Sequence, residues 1–158
     1  RRRSIGAQRA LGRSRPPPEG IDAALVALVD RVTGRMRAAG RVGRTVTLRL
    51  RFDDFSRATR SHTLAQATAH TRTILTTARG LLAAVTPAIE RRGLTLVGVA
   101  VGNLDDDAAV QLALPFDRGG DALDLAVDAV RDRFGRSALT RAVQLGRDQG
   151  LTVPLLPD

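Results

Sequence analysis

Residues 42–55 carry the pattern that most narrows what this chain can become. Val46, Leu48, Leu50 and Phe52 alternate with Thr45, Thr47, Arg49 and Arg51. Successive side chains of a strand point to opposite faces, so a period of two marks one apolar face and one lined with hydroxyls and guanidinium groups. Such a strand fits a sheet that is covered on one side and open on the other. Asp53-Asp54 supplies turn chemistry, and Ser56 to Leu64, rich in Thr, Ser and Arg, reads as the return strand of a hairpin.

What would cover the apolar face is legible on either side. Pro16-Pro17-Pro18 marks 13–20 as a loop, and a helix is predicted from an acidic cap at Asp22. Its stripe is Leu25, Leu28, Val29, Val32 and Met36, with Gly40 as the stop. A second helix is predicted over His70 to Arg91, burying Ile74, Leu75, Ala78, Leu81, Leu82, Val85 and Ile89, with Pro87 bending or ending its last turn. Ser4 to Leu11 is a strand candidate. Leu94 to Leu104 is another, with Val97, Val99 and Val101 on one side and Gly98, Ala100 and Gly102 on the other. The expected fold is therefore α+β: a four-stranded sheet in βαββαβ order with two helices packed on one face, plus a C-terminal helical tail. Two helices can cover only one face of such a sheet.

Three stretches are expected: a basic domain over 1–104, an acidic linker and apolar peptide over 105–120, and a helix and tail over 121–158. Asp121 caps the tail helix, Leu123, Val127, Val130 and Phe134 form its stripe, and Gly135 closes it. Leu139 to Leu145 reads as a short strand, and the residues after it as a frayed end.

Charge follows the same division. All 25 cations are arginine, against 16 acids, for a net charge of +9. Residues 1–104 hold 19 Arg and six acids, net +13, whereas 105–158 hold six Arg and ten acids, net −4. Such segregation suits a polyanion-facing front and a rear kept away from it. The opening Arg1-Arg2-Arg3-Ser4 lacks Met and any signal-peptide core, as expected of a piece of a longer protein. The apolar run Leu94 to Val101 is too short to span a bilayer, so no membrane partner is expected.

Several chemistries lack their residues. There is no Cys, hence no disulfide, thiolate ligand or cysteine nucleophile. His62 and His70 have no carboxylate at ligand spacing, and Asp105-Asp106-Asp107 reads as solvated linker rather than a cation site, so no metal or cofactor is expected. Gly98 to Gly102 lies within a strand pattern and is no phosphate loop. With no Trp or Tyr and only four Phe, the platform on which single-stranded bases stack is missing. That favours gripping a duplex backbone and disfavours a stand-alone RNA-binding module.

Arg3-Ser4-Ile5-Gly6 leading into a strand, the strands Thr45 to Phe52 and Leu96 to Leu104, and Gln111-Leu112-Ala113-Leu114-Pro115-Phe116 occur in the order and spacing of one known domain. The chain resembles the little-finger domain of Y-family translesion DNA polymerases of the bacterial DinB type, over about residues 3–134. That resemblance implies a cytoplasmic, nucleoid-associated DNA-gripping domain whose helix-free sheet face meets duplex primer–template DNA. By position it implies contacts from Arg1, Arg2 and Arg3 (the basic linker), from Ser4, Gly6 and Gln8, from Thr45, Thr47, Arg49 and Arg51, and from Arg57, Thr59 and Ser61. Gly98, Ala100 and Gly102 stand where relatives often carry a cation. It further implies that Gln111, Leu112, Leu114, Pro115 and Phe116 dock on the sliding clamp, Gln111 in a polar subsite and the apolar side chains in a pocket. The catalytic carboxylates and Mg²⁺ would belong to a palm domain outside this chain. An accessory factor recruiting repair proteins through its tail is the alternative. The acidic helix could pack on the domain, meet the clamp or meet another repair protein, and the residues leave all three open.

Overall fold

The computed structural model describes residues 3–12, 16–106 and 118–147. In chain order the elements are β1 (Ser4–Ala10), α1 (Pro18–Ala38), β2 (Arg41–Phe52), β3 (Arg57–Thr68), α2 (Thr71–Arg92), β4 (Leu94–Asp106) and α3 (Arg118–Phe134). Two short 3-10 turns follow, Arg136–Ala138 and Ala142–Gln144. The strand order is β1-β4-β2-β3, with every neighbouring pair antiparallel. It follows that β1 and β2 run parallel with β4 between them, and β3 and β4 run parallel with β2 between them. Two split β-α-β units are thus interleaved, which puts both crossover helices on one side of the sheet.

The alternation in β2 is what seats those helices. Val46, Leu48, Leu50 and Phe52 are buried, together with Val97, Val99 and Val101 of β4 and Ile5 of β1. Against them pack Leu25, Val29, Val32 and Met36 of α1 and Ile74, Ala78 and Val85 of α2. Side chains buried to this extent are worth roughly 1.5–3 kcal/mol each. Where the two helices meet, the Thr33 and Thr71 hydroxyls hydrogen-bond to each other at 2.9 Å, so neither is left unsatisfied in the core.

Several boundaries differ from expectation. Helix α1 begins at Pro18, with extended Pro17 at its N-cap. A proline in the first turn forfeits no hydrogen bond and arrives with helical φ, so the proline run starts the helix rather than delaying it. Asp22, expected as the cap, instead receives both arms of Arg79 at 2.8 Å and ties α1 to α2. Strand β3 continues past Leu64 to Thr68. Helix α2 runs through Pro87 to Arg92. Both Pro87 and Ala83, whose carbonyl loses its partner, are exposed, so water can meet that carbonyl.

Asp105 and Asp106, read as linker, are the last residues of β4. They lie opposite Val42 and Arg41, and Arg41 pairs with Asp106 at 3.1 Å. The expected strand at 139–145 is absent, the chain there forming the second 3-10 turn. The stripe expected on the tail helix is not buried as a unit, because Leu123 and Phe134 are exposed.

Candidate nucleic-acid interface

Register brings the sequence-predicted residues together. Four rows cross the sheet from β1 to β3: Ser4–Gly102–Thr45–Thr63, Gly6–Ala100–Thr47–Ser61, Gln8–Gly98–Arg49–Thr59 and Ala10–Leu96–Arg51–Arg57. Residues directly opposite share a face, and the buried Ile5, Val97, Val99 and Val101 point to the helices. Ser4, Gly6, Gln8, Thr45, Thr47, Arg49, Arg51, Arg57, Thr59 and Ser61 therefore share the helix-free face. With strands about 4.8 Å apart and rows about 6.8 Å apart, this face measures roughly 14 Å by 20 Å.

Its electrostatics are one-sided. The only acids in the four strands are Asp105 and Asp106, at the end of β4. Among the described residues Arg49 and Arg57 are exposed and have no ion-pair partner. Arg51, half-buried, gives its Nε to the Thr95 hydroxyl at 3.3 Å, which directs its guanidinium along the sheet. Arg51 and Arg57 stand directly opposite one another, a like-charge pair that costs energy until an anion sits between them. Acids elsewhere pair with other arginines: Asp22 with Arg79, Asp30 with Arg131 and Arg141, Asp54 with Arg92, and Asp124 and Asp128 with Arg37. The division seen along the sequence thus becomes a division between faces.

The β1–β4 half is built of small residues. Gly6, Gly98, Ala100 and Gly102 carry nothing larger than a methyl group, and Gly98 and Ala100 are buried among their neighbours. A Cβ on Gly6 would lie 3.0 Å from that of Ala100, and one on Gly98 would lie 3.1 Å from that of Gln8. At the β1 edge, Arg35 of α1 donates to the Gly6 carbonyl at 3.1 Å. N–H and C=O of one strand residue point the same way, so the Gly6 amide also faces outward from this edge. Arg35 holds that edge with its donors toward solvent.

Two polar residues on this face escaped the sequence reading. Asn103, at φ 50°, donates from Nδ2 to the Thr45 hydroxyl at 2.9 Å, and Thr45 bonds Thr63 at 3.1 Å, making a polar line across three strands. The signal was a lone Asn in an apolar run, since Asn tolerates the left-handed region better than other side chains.

Of the remaining expected residues, Arg3 is exposed just before β1, while Arg1 and Arg2 lie outside the described residues. So do Gln111, Leu112, Leu114, Pro115 and Phe116. His62 is exposed on β3, and His70, ahead of α2, contacts Asp121 of α3. Among the described residues no cluster of three or more His, Asp or Glu could hold a metal ion. No helix among them is long and apolar enough to cross a membrane.

Two interleaved split β-α-β units with one basic open face make an α+β domain, and a polymerase little finger is among the solved structures that share this fold. Solved structures with this fold include the post-insertion binary complex of Dbh DNA polymerase, at TM-score 0.56 and 14% identity, covering 63% of this chain and 28% of that one. A complex of the β-clamp processivity factor and the little-finger domain of PolIV matches at TM-score 0.50 and 21% identity, covering 73% and 98%. At these identities the likeness is one of fold. The sequence model for the C-terminal domain of the impB/mucB/samB family matches residues 2–114, and the chain belongs to that family. It is similar to DNA polymerase IV 2 of Mesorhizobium japonicum, 36% identical over 153 residues, covering 88% of this chain and 37% of the relative. DNA polymerase IV of Moorella thermoacetica is 36% identical over 145 residues, covering 90% and 36%. The chain spans a little over a third of the length of these relatives.

Proposed function

We propose that this chain is the little finger of a bacterial translesion DNA polymerase, gripping duplex primer–template DNA with the helix-free face and tethering its parent to the sliding clamp through Gln111 to Phe116. The observation that carries the reading is the four-row register: every strand residue expected to touch DNA falls on one acid-free face. A width of about 14 Å is comparable to the roughly 12 Å major groove, so the sheet can lie across the groove mouth and reach both backbones. Arg49, Arg51 and Arg57 on the β2–β3 half offer guanidinium forks that match phosphate oxygens, with Thr47, Thr59 and Ser61 as neutral donors beside them. The β1 edge serves the other backbone with Ser4, Gln8 and the outward Gly6 amide. Directed at phosphates, these contacts fix position and carry no sequence information, as suits a domain that must accept any sequence.

The nucleotidyl transfer and its Mg²⁺ belong to the palm of the parent chain in this reading, and the proposed setting is the cytoplasm. On the clamp, Leu112, Leu114 and Phe116 enter an apolar pocket at roughly 1.5–3 kcal/mol each before immobilisation costs, which predicts micromolar affinity. Pro115 reduces the entropy lost on docking.

Fluorescence anisotropy with a short labelled duplex tests the grip. With the basic segment Arg1 to Arg3, the face can neutralise about four to six phosphates, giving a log–log salt slope of roughly −4 to −5. Arg49→Ala/Arg51→Ala should weaken binding and shallow that slope by about 2. An unchanged affinity and slope at low salt would overturn the assignment of this face.

A further inference from the structure

Helix α1 returns antiparallel along β1 and lays two arginines against the open edge of that strand. Ala27 lines a recess with Ala10 and Leu11 at one end of β1, and Arg35 donates from Nη1 to the Gly6 carbonyl at 3.1 Å nearer the other. Ala27, Arg31 and Arg35 recur every four residues, one row along the helix with steps of about 6 Å. Alternate β1 residues are about 6.8 Å apart, so Arg31 comes level with Gln8. Both arginines are half-buried, and among the described residues neither has an ion-pair partner. Of the acids in α1, Asp22 pairs with Arg79 and Asp30 with Arg131 and Arg141. Glu19 lies about 18 Å along the axis from Arg31. Like charges four residues apart destabilise a helix, and no acid of α1 offsets these two.

The edge they flank offers donors. The Arg35 contact shows that the Gly6 carbonyl turns away from β4, so by the alternation of the antiparallel ladder the amides of Gly6 and Gln8 also point outward. A further strand docking here would need both N–H and C=O of a residue, and at Gly6 the carbonyl is taken. What stays open is the two amides, the remaining donors of the Arg35 fork and the whole of Arg31. Planar positive forks beside outward amides suit oxyanions, phosphate above all. Two such forks a helical turn apart suit an anion that repeats along a line, as phosphates do along one strand of nucleic acid. The sheet itself leaves this side without charge. On the open face, Arg49, Arg51 and Arg57 all lie on β2 and β3, whereas Ser4, Gly6, Gln8 and Ala10 of β1 and Leu96, Gly98, Ala100 and Gly102 of β4 include no cation.

We infer that Arg31 and Arg35 of α1, with the outward amides of Gly6 and Gln8, form a row of phosphate contacts along the β1 edge, an inference that rests on the duplex grip proposed above. The helix layer thus supplies the charge for one DNA backbone while β2 and β3 supply it for the other. Anisotropy of the whole chain with a short labelled duplex over a salt series tests this. Arg31→Gln breaks no hydrogen bond or ion pair among the described residues and keeps helix propensity. It should shallow the log–log slope by about 1, and Arg31→Gln/Arg35→Gln by about 2 with roughly tenfold weaker binding at low salt. If both variants bind with unaltered affinity and slope while Arg49→Ala/Arg51→Ala binds weakly, the α1 row is refuted and the grip of the sheet face stands. If the unaltered chain does not bind the duplex, grip and row both fall. A loss of affinity with no change in slope would mean that no phosphate was released, and would overturn the inference. So would variants that bind DNA as the unaltered chain does but self-associate in sedimentation, because the arginines would then be guarding the edge against another strand.

Discussion

Removing the Arg37 guanidinium should release α3 from the domain without unfolding the sheet. Arg37 holds Asp128 with two arms, Nε at 2.6 Å and Nη2 at 3.0 Å, and Asp124 with Nη1 at 3.2 Å. The same Nη1 donates to the Ala69 carbonyl at 2.9 Å and to the Thr71 hydroxyl at 3.0 Å. Burial would lower the affinity of this guanidinium for its proton, but the hydrogen bond to Asp128 and the charges of Asp124, Asp128 and Asp30 outweigh it, and the net shift is upward. Side-chain exposure is 16% for Arg37, 9% for Asp124 and 25% for Asp128. Arg37→Met keeps the hydrocarbon stem and leaves Asp124 with only the Thr71 amide among these partners. Breaking a buried pair from one side costs about 3–5 kcal/mol, and the lower end applies because Asp128 can turn toward water.

A loss of about 3 kcal/mol corresponds to a factor of roughly 150 in the docking equilibrium of α3. Hydrogen exchange followed by mass spectrometry reads it directly: amides of 118–134 should exchange about 100-fold faster, with those of β2 and β4 unchanged. Adding Asp124→Asn and Asp128→Asn to Arg37→Met should restore most of the protection, because no uncompensated charge then remains. If protection in α3 is unchanged by Arg37→Met, or is lost equally across the sheet, the ion pairs do not hold this helix and the reasoning fails.

Two further outcomes concern the scaffold. In Gly43→Ala a Cβ would lie 2.5 Å from Val101 Cγ1 and 3.0 Å from the Gly102 carbonyl, so denaturant unfolding should show a loss of about 1–3 kcal/mol; an unaltered midpoint would mean that this corner of the sheet is not close-packed. The Asp54 carboxyl, held by the Ser56 hydroxyl and then by Arg92, should titrate near pH 2 instead of its ordinary 3.8. Because the folded value is the lower one, the β2–β3 turn gains from this group above about pH 4 and loses it as the pH falls toward 2. Carboxyl NMR shifts of Asp54 across that range check it, and a midpoint near 4 would show the contacts absent in solution.

The features legible without a structure are those that depend on near neighbours. The period of two in 45–52 and the helical spacing of Leu25, Val29, Val32 and Met36 are local patterns, and they were enough to assign βαββαβ order and two helices on one face. Where local rules competed, the reading slipped. Pro16-Pro17-Pro18 is both a loop signal and a helix start, and only the backbone shows Pro18 inside α1. Pro87 signals an end, yet α2 passes through it because the face it disrupts is solvated. Asp105 and Asp106 read as linker because their partners, Val42 and Arg41, lie more than sixty residues away in sequence.

Taken alone, the sequence determined the fold class, which strand face is basic, and that no thiol chemistry or aromatic stacking platform is available, because these follow from residue type and short-range period. The tertiary structure decided the strand order and the register that aligns Gln8, Gly98, Arg49 and Thr59 in one row, since pairing between distant segments leaves no local trace. It also decided the orientation of α3. An apolar stripe predicts which side of a helix would be buried if hydrophobic packing were the strongest force upon it. Here the fork of Arg37 and the Asp30–Arg131–Arg141 cluster hold the charged side down, and those partners come together only in the folded chain.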